Sequence, residues 1–241
     1  MMIKTFLKLL KEEVLALRIL IRRRIYINPK LEKSIVDQFH RLYYDSSMFA
    51  KTWCNTFWFG IPITKCPLDL WIYQEIIFEV KPDIIVECGT ENGGGALFLA
   101  SMCDLVNNGK VLTIDIKDKE GRPEHGRITY LLGSSTSKEI VEKVRSLVGK
   151  DDRIMVILDS DHSKQHVLNE LRIYSKFVTK GSYLIVEDTN INGHPVYTDF
   201  GPGPMEAVTE FLEENKDFVT DKSKEKLYLT FNPNGYLKKI K

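Results

Sequence analysis

The chain of 241 residues lacks most features that would place it in a special class. Its four cysteines, Cys54, Cys66, Cys88 and Cys103, form no CxxC pair, so a zinc ribbon or disulfide scaffold is not expected and reduced thiols are the default. With only 15 glycines and 9 prolines it has no collagen-like or low-complexity tract. No run of 18 apolar residues occurs, which leaves no helix expected to span a membrane. The N-terminus is not a signal peptide by pattern: charges break its apolar residues at 4, 8, 11–13 and 18, and no small-residue cleavage site follows. A cytoplasmic location follows as the expectation.

A net charge of +1 conceals an asymmetry. Residues 1–26 hold seven basic side chains (Lys4, Lys8, Lys11, Arg18, Arg22, Arg23, Arg24) against Glu12 and Glu13, and the remainder is mildly acidic. An acidic body excludes the basic face of a nucleic-acid reader. No proline or glycine precedes Pro29, so the opening stretch reads as one basic amphipathic helix. Three uses of it stay open: contact with anionic lipid at a membrane surface, an oligomerisation arm in a homo-oligomer, or packing on the body.

A second helix is expected over 32–46 and a third over 69–80, with an aromatic, turn-rich stretch from Trp53 to Pro67 between them. From Lys81 the pattern changes to short β-rich runs at 83–87, 111–115, 128–132, 154–158 and 183–186, with helical segments at 94–107, 136–149 and 164–179. Such alternation means βαβ units around a buried, mostly parallel sheet. A last helix at 205–215 and a late strand at Lys226–Phe231 complete the reading. The fold class is α/β, doubly wound, with a helical extension over 1–80 and one domain over 81–241.

In such sheets ligands bind beyond the carboxyl ends of the strands. The first strand ends in Glu87-Cys88-Gly89-Thr90-Glu91-Asn92-Gly93-Gly94-Gly95. This GxxxGGG spacing fails the GxGxxG dinucleotide fingerprint, and no Lys supplies a P-loop. Glu87 would repel a pyrophosphate and attract a ligand carrying ammonium and sulfonium groups. The E-x-G pattern with Asp115 ending the second strand resembles the S-adenosylmethionine (SAM) site of Rossmann-like methyltransferases. That resemblance implies a cofactor site made of Glu87, Gly89, Thr90, Asn92, Gly93, Asp115, Gly133 and Ser134. Asp115 would meet the ribose, the helix start at Gly93 the methionyl carboxylate, and Ser134 the adenine.

Two further strand ends carry carboxylates: Asp159 and Asp161 after the fourth, Glu187 and Asp188 after the fifth. Converging carboxylates call for a cation, and an oxygen-only cluster suits Mg²⁺. Asp159 is preferred to Asp161 as a ligand, because Asp161-His162-Ser163 suits a helix cap. His162 is the natural general base. His166 shares a helix face with His162 and Glu170, but no HExxH accompanies them.

Several longer motifs carry a family resemblance: Asn55-Thr56 with Trp58-Phe59-Gly60, Pro67-Leu68-Asp69-Leu70, Lys81-Pro82-Asp83, Leu158-Asp159-Ser160-Asp161-His162, Gly181 to Asn190, Asn192-Gly193-His194-Pro195-Val196, Phe200-Gly201-Pro202-Gly203-Pro204 and Phe231 to Leu237. Over about residues 50–240 the chain resembles the cephalosporin hydroxylase/rhamnosyl O-methyltransferase family. The resemblance implies a SAM-methyltransferase fold, Asp159, Glu187 and Asp188 as Mg²⁺ ligands, and His162 as base. The long loop 189–204 offers His194 and Tyr197 as substrate contacts, or serves only as a stiffened surface turn. The expected activity is SAM- and Mg²⁺-dependent O-methylation of a sugar hydroxyl. Its rivals are a metal-dependent oxygenase, disfavoured for want of a two-His-one-carboxylate site, and a non-catalytic SAM- or glycan-binding scaffold.

Overall fold

The computed structural model describes residues 10–21, 28–46, 48 and 51–241. The chain divides into two compact units, at residues 1–40 and 41–241. In the first, a helix covers residues 10–21 (α1) and leads to α2 (Pro29–Asp45), which runs on into the second unit. The remainder of the basic arm, including the arginines at 22–24, lies outside the described residues.

The second unit is built on a seven-stranded sheet. Its strands are β3 (Ile84–Cys88), β4 (Lys110–Asp115), β5 (Ile128–Leu132), β6 (Ile154–Leu158), β7 (Tyr183–Val186), β8 (Phe218–Thr220) and β9 (Tyr236–Lys239), in the order β5-β4-β3-β6-β7-β9-β8. The first five in that order are parallel, and β9 runs antiparallel between β7 and β8. A small hairpin, β1 (Phe57–Trp58) and β2 (Ile61–Pro62), precedes them.

Side-chain parity divides the core, because successive strand residues face opposite sides. Ile84, Val86, Ile154, Val156, Leu158, Leu184 and Val186 pack with α5 (Lys138–Leu147), α6 (Lys164–Tyr174) and α7 (Pro204–Glu214). Ile85, Met155, Ile157, Tyr183 and Ile185 pack with α3 (Pro67–Val80) and α4 (Gly94–Leu105). Thus α3, assigned to the helical extension by sequence, covers one face of the sheet within the second unit, with Ile72, Tyr73, Ile76 and Ile77 buried. Pro67 starts it from N1, where a missing N–H costs nothing.

One expected element is absent. Lys226–Phe231 forms turns rather than a strand, with Tyr228 at φ 68° and Leu229 N–H bonded to the Leu227 carbonyl at 2.9 Å. Asp69 explains the detour. Its buried carboxylate accepts from Thr230 Oγ1 (2.5 Å), Phe231 N (2.8 Å) and Tyr236 Oη (2.8 Å), drawing the segment onto α3. Leu229 and Phe231 then close over Cys66, and Tyr43, Tyr44 and Trp53 pack against that cluster. The late strands are β8 and β9 instead, with β8 at the sheet edge.

Strand order reverses between β3 and β6, the switch point where doubly wound sheets open a ligand crevice. Gly89 sits there at φ +100°, and a Cβ on it would lie 1.8 Å from the Asp159 carbonyl oxygen.

Asp69→Ala orphans three donors and should cost about 3 kcal/mol, lowering Tm by about 6–12 °C in a thermal melt. Burial pushes the Asp69 carboxyl up from 3.8 to about 6. The folded chain therefore holds that proton more tightly, so the contribution of Asp69 to stability falls as pH rises from 3.8 to about 6 and is level above. Asp69→Asn should remove that slope in urea melts across this range. Gly89→Ala forces the ends of β3 and β6 apart and should destabilise by roughly 3 kcal/mol or more, which equilibrium unfolding would read.

Candidate active site

A cleft of about 450 Å³ opens over the switch point, a size suited to a cofactor-sized ligand. Gly89, Glu91, Asp115, Ile116, Lys117, Gly133, Ser134, Ser135, Asp159, Ser160, Asp161 and His166 line it, with Ile114. Asp115 ends β4 at its rim. Its carboxylate accepts from Glu91 N (2.8 Å), Lys117 N (2.9 Å) and Arg122 Nη2 (3.1 Å), which fixes the side chain while leaving lone-pair capacity toward the cleft.

Below the glycine loop, strand parity gathers three acids on the α3/α4 face. Glu87 follows Ile85, Asp159 follows Ile157, and Glu187 follows Ile185, in strands held in register. Lys65, from the loop between β2 and α3, reaches into their midst. Its Nζ lies 2.5 Å from Asp159 Oδ2 and 2.5 Å from Glu187 Oε1, with 5% of its side chain exposed. Burial alone would drive the proton off Lys65, but the charges of Asp159, Glu187 and Glu87 outweigh it and hold the ammonium well above the usual lysine range. Glu87 Oε2 accepts from Thr113 Oγ1 (2.7 Å), while its Oε1 is buried without a hydrogen-bond partner. Burial pushes the Glu87 carboxyl up to about 7, against the pull of Lys65. Gly95 makes this packing possible: a Cβ there would sit 2.4 Å from Glu87 Oε1 and 3.0 Å from Lys65 Cε.

A second cluster shares Asp159 with the first. One donor atom each from Asp159, His162 and Asp188 lie within 4.8 Å of one another. His162 Nε2 is 3.2 Å from Asp188 Oδ2, and both side chains are partly exposed. Burial raises the Asp188 carboxyl, an effect that His162 opposes. Asp188 adopts φ 54°, a left-handed conformation, and its N–H is held by Asn232 Oδ1 at 3.2 Å. Asp161 is spent elsewhere, accepting from Ser163 N at 2.7 Å ahead of α6.

The structure brings together Asp159, His162 and Asp188, and sets Glu187 beside them on Lys65. Of the expected cofactor residues, Gly89, Asp115, Gly133 and Ser134 line the cleft. Glu87 does not, because parity turns it under α4. Thr90 is buried, its hydroxyl 2.7 Å from Thr113 Oγ1. Gly93 caps α4, bonded to the Thr90 carbonyl, with Pro123 and Tyr130 against it. Asn92 is partly buried and lies off the cleft lining. His194 bonds Glu206 Oε1 at 2.8 Å, as does Asn192 at 3.1 Å, which ties the 189–204 loop to the start of α7. Tyr197 remains exposed, edge-on to Phe200.

Sequence reasoning missed Lys65, whose only signal was a lone cation in an aromatic, turn-rich stretch. It also missed the network behind the cleft, where buried Glu170 Oε1 accepts from Ser135 Oγ (2.5 Å) and Ser160 Oγ (2.7 Å) and lies 3.3 Å from His166 Nε2.

Comparison with known proteins agrees with this architecture. The profile of the family described as rhamnosyl O-methyltransferase/CmcI matches residues 50–240. The rhamnosyl O-methyltransferase of Mycobacterium leprae is 39% identical over 210 residues, 85% of this chain and 90% of that protein. Its namesake from Mycobacterium tuberculosis is 37% identical over 211 residues, 85% and 84% of the two. A CmcI structure with Mg and SAM superposes with a TM-score of 0.61 at 19% identity, covering 78% of either chain. An O-methyltransferase from Bacillus cereus in complex with SAH gives 0.51 at 14%, covering 82% of this chain and 86% of that one. At such identities the structural likeness speaks for the fold, while the sequence matches speak for kinship: the chain belongs to the rhamnosyl O-methyltransferase/CmcI family.

Proposed function

We propose that this protein transfers the methyl group of SAM to a hydroxyl of a sugar, with a divalent metal ion of the Mg²⁺ type at the carboxylate cluster. The observation that carries the reading is the juxtaposition of Asp159, His162 and Asp188 beside a cofactor-sized cleft at the switch point. The names of the relatives, rhamnosyl O-methyltransferases, support a sugar acceptor, and related folds solved with Mg and SAM support the cofactor pair.

The donor set fits the metal. Mg²⁺ is held by one or two carboxylates with water and substrate oxygens, and Asp159 and Asp188 bring two carboxylates together, Asp159 lining the cleft. When bound, such an ion supplies Lewis acidity that makes an acceptor hydroxyl easier to deprotonate. An oxygenase is disfavoured, since the cluster found among the described residues holds one histidine rather than two.

The chain's own residues then divide the work. Gly89, Asp115, Gly133 and Ser134 would hold SAM, with the glycine letting the ligand approach the backbone. His162 would take the hydroxyl proton at Nδ1, the ring nitrogen not facing Asp188, whose Oδ2 at 3.2 Å from Nε2 would hold that N–H and stabilise the resulting imidazolium. No covalent intermediate on the protein is required: SAM, when bound, would supply the methyl group as an electrophile, and His162 would keep the proton given up by the acceptor hydroxyl. Placing the two substrates in line does most of the work.

The N-terminal arm supports a role apart from catalysis. Leu10, Val14, Leu17 and Ile21 of α1 are exposed, as are Leu15, Ile19 and Leu20. No helix among the described residues is long and apolar enough to cross a membrane. The exposed face and the basic residues of 1–26 together fit contact with an anionic lipid surface, or pairing with a second copy. Vesicle co-sedimentation and light scattering, with and without residues 1–26, separate the two.

His162→Ala should lower kcat by about 10²–10⁴-fold, with the Kd for S-adenosylhomocysteine unchanged. Asp188→Asn should remove Mg²⁺-stimulated methyl transfer to rhamnosyl or other diol-sugar acceptors while cofactor binding persists. Wild-type turnover in either variant, measured by methyl-transfer assay with calorimetry alongside, overturns the assignment.

A further inference from the structure

The position of Lys65 has a use beyond holding a loop in place. A lysine ammonium has three N–H donors and no acceptor. Two of those donors are aimed at Asp159 Oδ2 and Glu187 Oε1, each 2.5 Å away. Glu87 closes the third side, and Gly95 leaves no room for any side chain between it and the Lys65 stem. Asp159 belongs to this buried group and to the Asp159–His162–Asp188 cluster at once. One carboxylate therefore faces two cation positions.

We infer that Lys65 is the resident cation of the carboxylate site, holding Asp159 and Glu187 together when no metal ion is bound and competing with a divalent ion for them when one arrives. The inference rests on the metal reading above and deepens it. Without a cation, acids brought this close repel and the strand ends carrying them spread. A tethered ammonium prevents that in the metal-free protein. It also offsets part of the negative charge offered to an incoming ion, so binding is weaker and more readily reversed than the acids alone would give. Lys65 is a positioning residue in this scheme: it touches neither cofactor nor acceptor.

The test compares full-length wild type with Lys65→Met and Lys65→Gln, using thermal melts in EDTA and in MgCl₂ and calorimetric titration with MgCl₂ alone. Wild type should shift by only about 2 °C on saturation with Mg²⁺. Each variant should melt about 10 °C lower in EDTA, recover most of that loss in MgCl₂, and bind Mg²⁺ about tenfold more tightly. A merely structural lysine would lower Tm equally with and without metal. Equal or weaker Mg²⁺ binding by both variants overturns the inference, as does failure of both to fold at saturating Mg²⁺. Asp188→Asn in the wild-type background reports separately on the metal reading. If it abolishes Mg²⁺ binding, that reading stands whatever Lys65 does. If wild type and both variants bind no Mg²⁺, the metal reading and this inference fall together.

Discussion

Two backbone hydrogen bonds just beyond the strand ends govern the site: Asp159 N–H to the Cys88 carbonyl at 2.7 Å, and Glu187 N–H to the Leu158 carbonyl at 2.9 Å. They extend the ladders of β3, β6 and β7 by one step past regular strand structure. Because the strands are parallel and in register, that step brings Asp159 and Glu187 to one level of one face, with Glu87 on the same face two residues earlier, level with Ile157. A slip of one residue in either pairing would turn the acids toward the opposite helices. The glycine loop, the left-handed turn at Asp188 and the cleft all hang from this register.

The cost of the arrangement is electrostatic. Glu87, Asp159 and Glu187 converge with Lys65 where little water reaches, and such clusters seldom add net stability. Stability comes instead from the apolar layers on either side, where α3 and α4 cover one face and α5, α6 and α7 the other. Asp69 shows a cheaper use of a buried acid: three donors surround it, and its work is to fasten the C-terminal segment. The molecule thus separates charge kept for chemistry from charge used as a rivet.

Much of this was legible in the sequence. The β-rich runs and the helices between them located the central strands closely, since a doubly covered parallel sheet demands continuous apolar segments. Acids at strand ends pointed to Asp159, His162 and Asp188 because the fold collects such ends. Glu87 reads as a cleft residue from its nearness to the glycines; the continuous apolar run Ile84-Ile85-Val86 before it shows no alternation, so the parity that sends it under α4 emerges only from the packed sheet. Lys65 and the path of Lys226–Phe231 were not legible. Each depends on a partner far along the chain, Glu187 for the one and Asp69 for the other, and no local pattern records such pairings.

The place of β9 bears on how the protein comes into being. β9 is made after β8 yet lies between it and β7. The turn bearing Glu187 and Asp188 leans on that late segment: Val186 N–H bonds the Gly235 carbonyl (2.9 Å), Asn190 N–H the Phe231 carbonyl (3.1 Å), and Thr189 Oγ1 the Pro233 carbonyl (2.6 Å). A nascent chain that has emerged only through α7 therefore displays β7 as an open edge, apolar and ready to pair with a stranger. During translation, the interval between exposure of that edge and arrival of β9 is when the chain is most open to misassembly. Synonymous codons that slow the ribosome between residues 187 and 236 would lengthen that interval.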